Sequence, residues 1–237
     1  MAHGIKALVF DVFGTLVDWR SSIIREGESW GRERGLTIDW GAFADQWRAM
    51  YHPGMDRVRK GERPWANLDT LHRESLDALL PKFGLDHLGE EDRDHWRRVW
   101  HRLDPWPDTV PGLLALKPKM ILSPMSNGNV ALLLNMAKRA GMPFDTILSA
   151  EICRHYKPDP ETYRMAPALL GLKPEEVLMT AAHNSDLLAA SRQGLRTAFF
   201  PRPTEYGPSQ VKDKKAEHPF DFVATDLIDL ARQLGTI

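Results

Sequence analysis

Cysteine is almost absent from this chain: Cys153 is the only one in 237 residues. That excludes an intramolecular disulfide and any metal centre built on a cysteine cluster, and it fits a reducing compartment. Net charge is nearly absent too, at −1, so no overall electrostatic pull exists toward nucleic acid or an anionic membrane surface. No apolar run approaches the roughly 20 residues that cross a bilayer. The start, Met1-Ala2-His3-Gly4, carries no signal-peptide pattern, and a cytoplasmic location is expected. Internal repeats and low-complexity tracts are missing as well. What is present is ordinary for a soluble globular protein: 43% hydrophobic and 27% charged residues, in a chain long enough for one large core and a smaller second unit.

Organisation begins at residues 5–18. Ala7 to Phe10 has the length and composition of a buried strand, and it ends abruptly in Asp11, with Gly14 and Thr15 close behind. In an open α/β sheet, ligands sit beyond the carboxyl ends of the strands, so Asp11 is expected where chemistry takes place. Further strands are expected at 119–123, 144–149, 177–181 and 196–200, with an edge strand at 222–224. Helices are expected at 111–116, 129–140, 160–170, 186–193 and 226–234. This alternation predicts an α/β fold with a doubly wound parallel sheet. Residues 19–103 differ. They show helical patterns at 21–34, 39–51, 65–80 and 90–100, a break at Pro53-Gly54, a turn at 81–85 and no convincing strand. Seven of the eight tryptophans, Trp19 to Trp100, fall in this stretch, as bundle core or as pocket wall. Residues 103–108 read as a proline-rich return linker and 201–219 as a polar surface loop.

Polar residues cluster just past the expected strand ends. Ser126-Asn127-Gly128-Asn129 precedes a helix, and serves either as a plain cap or as a cradle of amides and hydroxyl for an anion. Lys157-Pro158 precedes another helix, with Tyr163 six residues after the lysine. Thr180-Ala181-Ala182-His183-Asn184-Ser185-Asp186 follows the fourth strand, and Trp47-Arg48 lies in the helical stretch.

In this register, Asp11-x-x-x-Thr15, Ser126, Lys157 and Asp186 resemble the four motifs of the haloacid dehalogenase superfamily. The resemblance implies a Rossmann-like core of residues 1–18 and 104–237, a helical cap inserted at 19–103, and Asp11 as a covalent nucleophile. Most of that superfamily are phosphatases, with a second Asp two residues after the first that protonates the leaving group and whose backbone carbonyl helps to hold magnesium. Phe13 stands there instead. It cannot donate a proton, and a halide leaving group needs none. The branch with an aromatic residue at this point is the type II 2-haloacid dehalogenases. They also carry Ser-Asn-Gly in the second motif, Tyr six residues after the Lys, and Trp-Arg in the cap.

The resemblance therefore implies hydrolysis of a small halogenated carboxylic acid, a short 2-haloalkanoic acid, to a 2-hydroxy acid through an ester on Asp11. It implies no metal or other cofactor and no nucleic-acid or membrane partner, and it is compatible with a homodimer. Arg48 and Asn127 would receive the halide, which needs donors to replace its lost hydration. Ser126, Lys157 and the backbone around Val12 and Phe13 would hold the substrate, with Thr15 and Tyr163 beside them. Lys157 would also keep Asp11 ionised. Asp186, with His183 or Asn184, would place the water that cleaves the ester. Here the sequence departs from the common dehalogenase form, since Ala181, Ala182 and His183 replace Ser, Ser and Asn. A neutral His183 helping the water would make hydrolysis weaken as pH falls through about 6.5. Two rivals are a magnesium-dependent phosphatase-like hydrolase, opposed by Phe13, and a non-catalytic binding protein on the same scaffold.

Overall fold

In the computed structural model, which describes residues 4–237, the apolar run Ala7–Phe10 is a fully buried strand, β1. Met1, Ala2 and His3, the start expected to carry no signal peptide, lie outside the described residues. From β1 the chain passes through β2 (Val17–Asp18) and helices α1 (Trp19–Glu33), α2 (Trp40–Ala49), α3 (Tyr51–Arg59), α4 (Leu68–Leu79) and α5 (Glu90–Arg97). It returns along β3 (Asp104–Pro105), which pairs antiparallel with β2. Then follow α6 (Thr109–Leu116), β4 (Ile121–Ser126), α7 (Val130–Ala140), β5 (Leu148–Ser149), α8 (Ala150–Cys153) and α9 (Pro160–Leu170). The chain ends with β6 (Val177–Ala181), α10 (Asn184–Ser191), β7 (Arg196–Phe199), β8 (Phe222–Val223) and α11 (Leu227–Gln233).

Six strands form one parallel sheet in the order β5-β4-β1-β6-β7-β8. A strand buried on both faces reads as an unbroken apolar run, and β1 is such a strand. Its side chains alternate, as the pleat requires: Leu8 and Phe10 enter one apolar cluster, Ala7 and Val9 another. Phe10 lies opposite Pro124 of β4 and Thr180 of β6, and the Asp11 amide donates to the Thr180 carbonyl at 3.0 Å. The sheet thus changes direction of travel at β1, and the ends of β4, β1 and β6 stand side by side. That is the crevice where open α/β sheets bind ligands.

Residues 19–101 are helical, and the larger apolar cluster runs from the sheet into them without a break. Asp18, Asp39 and Asn67 cap α1, α2 and α4 by accepting from backbone amides of the first turn. Trp40 stacks on Trp96 at 5.1 Å with Trp30 edge-on at 5.6 Å to Trp96. Gly27 makes room: a Cβ there would lie 2.3 Å from the Trp40 ring. Phe13 reaches from the end of β1 into this aromatic packing, edge-on to Trp100 at 5.9 Å and to Tyr51 at 6.3 Å. Among the described residues no helix is long and apolar enough to cross a membrane.

Two expectations are corrected. Pro53-Gly54 does not break a helix but sits in the first turns of α3, where a missing N–H leaves no hydrogen bond unmade; the break falls at Met50. Of the strand expected at 144–149, only Leu148–Ser149 pairs with β4. Asp145 instead joins β4 end-on, its amide donating to the Leu122 carbonyl and its carboxylate accepting from the Leu122 amide.

His72 of α4 is buried, stacked on Trp100 at 4.3 Å, and neither ring nitrogen has a hydrogen-bond partner among the described residues. Burial without a partner disfavours the charged ring and pushes its pKa down to about 3. The unfolded chain binds this proton below about 6.5, and the folded chain does not until about 3. Stability from this site is therefore fully present above the unfolded value and is lost as pH falls across that window. In urea unfolding, the folding constant of the parent should fall about a hundredfold more than that of His72→Leu between pH 7 and pH 4.5, the slope approaching tenfold per unit only below about pH 6. Equal slopes would show that the ring is not held neutral.

Candidate active site

Beyond β1 the chain makes a tight turn in which the Val12 carbonyl accepts from the amides of Leu16 and Val17, at 2.9 and 3.2 Å. This brings Thr15 back over Asp11. The Thr15 hydroxyl donates to Asp11 Oδ2 at 2.8 Å and accepts from the Ala182 amide at 3.0 Å. Lys157 Nζ lies 3.3 Å from Asp11 Oδ1 and 2.8 Å from Asp186 Oδ2, while the Tyr163 hydroxyl donates to Asp186 Oδ1 at 2.7 Å. His183 Nδ1 is 3.1 Å from Asp11 Oδ2, and its Nε2 is 2.8 Å from Glu205 Oε2. The Trp19 indole N–H donates to Glu205 Oε1 at 3.1 Å.

The side chains of Lys157, Asp186, Asp11 and His183 are only 7, 10, 13 and 15% exposed, so their charges act through little water. Burial alone would raise the Asp11 carboxyl, but the Lys157 charge and the hydrogen bonds from His183 and Thr15 outweigh it and hold Asp11 ionised, far below the usual carboxylate range. Burial pulls Lys157 down, yet Asp186 and Asp11 together keep it above its ordinary value. Asp186 goes the other way: burial raises it, against the pull of Lys157. Burial also opposes a charged His183, and the Glu205 and Asp11 carboxylates overcome it, raising the ring well above the usual histidine range. The neutral His183 expected from the sequence is thereby corrected: between two carboxylates the ring is an imidazolium, with no free lone pair to act as a base.

A cavity of about 390 Å³ opens on this cluster, with Phe13, Arg48, Tyr51 and Asn127 in its wall. The Arg48 guanidinium lies over the Tyr51 ring at 4.0 Å, with the Trp19 ring at 5.5 Å. Its Nη1 is buried and has no hydrogen-bond partner among the described residues. An unpaired N–H of a cation costs free energy when buried, and an anion in the cavity would relieve that cost. Magnesium fits poorly. It asks for an octahedron of oxygens, yet the Phe13 side chain offers none, the Lys157 ammonium stands between Asp11 and Asp186, and both Asp186 oxygens already have partners. Among the described residues no group of three His, Cys, Asp or Glu side chains is arranged to hold a metal ion.

Asp11, Thr15, Lys157, Tyr163, His183 and Asp186 thus share one hydrogen-bonded cluster, and Phe13, Arg48 and Asn127 line its cavity. Asn127 Oδ1 also accepts from the Lys157 amide at 2.8 Å, tying two loops together. Four expected residues are not in the wall, Thr15 among them, since its hydroxyl is held between Asp11 and the Ala182 amide. Val12 is buried in the turn, and Ser126 Oγ accepts from the Gly128 amide at 3.2 Å, a contact within the loop after β4. Asn184 spends its side-chain amide on Asp213, Lys215 and Glu217, at 2.9, 3.0 and 2.8 Å, so it fastens that loop and has nothing left to orient water at Asp11.

The segment 201–219 is a partial correction. Most of it is exposed, as its charge suggests, but Arg202 and Glu205 turn inward to buried partners. Arg202 holds Asp108 through two bonds of 2.6 and 2.9 Å and the Thr15 carbonyl at 2.9 Å; Glu205 is 1% exposed; and Tyr206, Lys212 and Asp213 line the cavity. Those partners lie far off in the chain, so local composition could not announce them. The one signal was Gly14, at φ +86°, where a Cβ would stand 2.1 Å from Glu205 Oε1.

The family model of the haloacid dehalogenase-like hydrolases matches residues 5–194. A curated relative, (S)-2-haloacid dehalogenase 4A of Burkholderia cepacia, is 30% identical over 229 residues, which is 90% of this chain and 91% of its own. Among solved structures, an L-2-haloacid dehalogenase superposes with a TM-score of 0.95 at 52% identity, over 98% of this chain and 100% of the other. A defluorinating L-2-haloacid dehalogenase does so with 0.95 at 48% identity, over 98% and 95%. The L-2-haloacid dehalogenase of Xanthobacter autotrophicus with chloropropionic acid covalently bound gives 0.79 at 26% identity, over 98% of each chain.

Proposed function

This chain belongs to the haloacid dehalogenase-like hydrolase family, and from that membership we propose that it hydrolyses short (S)-2-haloalkanoic acids to 2-hydroxy acids. The observation that carries the reading is an Asp11 carboxylate held ionised beside Phe13, with no proton donor two residues on, in one cavity with the unpaired Arg48 N–H. Such a site can expel a leaving group that departs as a stable anion. Asp11 attacks the halogen-bearing carbon, the carbon–halogen bond breaks, and Arg48 with Asn127 receives the halide. Lys157 and the backbone beyond β1 and β4 take the substrate carboxylate. Residues 19–103 act as a cap over the cavity, and no metal takes part. Water held near Asp186 then opens the ester. A single, half-buried Cys153 agrees with a reducing, cytoplasmic setting.

Purified protein given each enantiomer of 2-chloropropionate, with excess chelator, should release chloride from the (S) form at an undiminished rate. Activity lost to the chelator and restored by magnesium would favour a phosphatase-like hydrolase instead. Asp11→Asn should keep the circular dichroism spectrum of the parent and lose turnover entirely; steady activity without deamidation would remove Asp11 from the nucleophile's role. Arg48→Ala should slow single-turnover chloride release by about 10²–10³, the usual effect of losing one preorganised donor to developing charge. An unchanged rate would mean that the halide leaves by another route.

A further inference from the structure

The ester reading above leaves open which group stabilises the negative charge that forms when water attacks, and resting on that reading we propose that His183, held by Glu205, is the oxyanion donor of ester hydrolysis. Glu205 is then a positioning residue for the reaction. Donor counting comes first. A carboxylate only accepts, so Nδ1 facing Asp11 and Nε2 facing Glu205 both carry hydrogen. The Thr15 hydroxyl accepts from the Ala182 amide, so its own hydrogen goes to Asp11.

The two Asp11 oxygens are therefore unequal. Oδ2 receives Thr15 at 2.8 Å and His183 at 3.1 Å, whereas among the described residues Oδ1 has only Lys157 at 3.3 Å. An oxygen carrying two donors is the weaker nucleophile, so Oδ1 makes the bond to the substrate carbon. Oδ2 becomes the ester carbonyl oxygen, with both donors already in place. In hydrolysis the water oxygen bonds to the Asp11 carbonyl carbon, Asp186 takes one water proton, and the carbonyl electron pair moves onto Oδ2. On collapse the carbon–Oδ1 bond breaks, the proton on Asp186 passes to the departing 2-hydroxy acid, and the second water proton goes to solvent as Asp11 ionises. Negative charge resides on Oδ2 only in between, against the Thr15 hydroxyl and a cationic His183.

Glu205 is built to hold that ring. It is 1% exposed, fixed by the Trp19 indole, and packed against the bare Cα of Gly14, so its carboxylate has one place to be. Ala181 and Ala182 bring no side-chain donor, which leaves the task to Thr15 and His183.

The test separates the half-reactions with (S)-2-chloropropionate, by rapid-quench chloride release and mass spectrometry of the peptide containing Asp11. The parent is the control: if it releases no chloride, the dehalogenase reading itself fails, whatever the variants do. Glu205→Leu should release one chloride per site at the parental rate and then turn over about a hundredfold more slowly, with the Asp11 adduct accumulating. Glu205→Gln keeps an acceptor for Nε2 and should fall between the two. Parental turnover with no adduct in Glu205→Leu would overturn the proposal, as would a chloride burst slowed as much as turnover. If Glu205→Leu does not fold, His183→Gln with Glu205 intact must show the same burst and stall, and its absence would be equally decisive.

Discussion

Three carboxylates, Asp11, Asp186 and Glu205, crowd the end of the sheet, and the site exists only because cations are threaded between them. Lys157 separates Asp11 from Asp186, His183 separates Asp11 from Glu205, and Arg48 stands across the cavity. Taking one member away leaves a mostly buried charge without its partner, which is far more costly than never having buried the pair. The sheet order supplies the geometry, since β4, β1 and β6 are adjacent and their ends deliver the loops that carry these residues. Alternation of charge also has a chemical meaning. In the proposed reaction, esterifying Asp11 would leave the cluster one negative charge short, and the cations left behind would favour the tetrahedral anion that follows.

Phe13 has two effects that belong together. Its ring removes a proton donor from the site, and it also plugs the turn after β1 into the aromatic packing of Trp100 and Tyr51. Tyr51 in turn carries the Arg48 guanidinium on its face. One side chain thus links the Asp11 turn, the helical segment and the Arg48 guanidinium. An acid at position 13 would break that contact as well as change the chemistry.

The sheet was legible because β1 and β6 are short apolar runs ending in polar motifs, and local pattern is enough for that. Asp11 was legible from its place at a strand end, whereas Thr15, Lys157, Tyr163 and Asp186 were picked out by their resemblance to the superfamily's motifs; the structure brings all five into one cluster. Asn184 was misjudged because sequence gives a residue's place on the chain but not the direction of its amide. The protonation of His183 was misjudged because Glu205 was hidden in a charged stretch that looked solvated. Burial of a charged loop is decided by partners remote in sequence, and only Gly14, where the Glu205 carboxylate needs space, hinted at it.

The placement of tryptophan has an optical consequence. Seven of the eight indoles lie between Trp19 and Trp100, and the exception, Trp106, donates to the Gly14 carbonyl at 3.0 Å. None belongs to a strand of the six-stranded sheet or to the helices that cover it. Intrinsic emission of this protein is therefore a readout of the helical segment and its seam with the sheet, and it is nearly blind to the sheet itself. Trp19, bonded to Glu205, is a chromophore wired to the reacting groups. A change in charge at Asp11 would reach the emission spectrum through Trp19, on Glu205, and Trp106, on the Gly14 carbonyl, against a background set by the stacked Trp40 and Trp96.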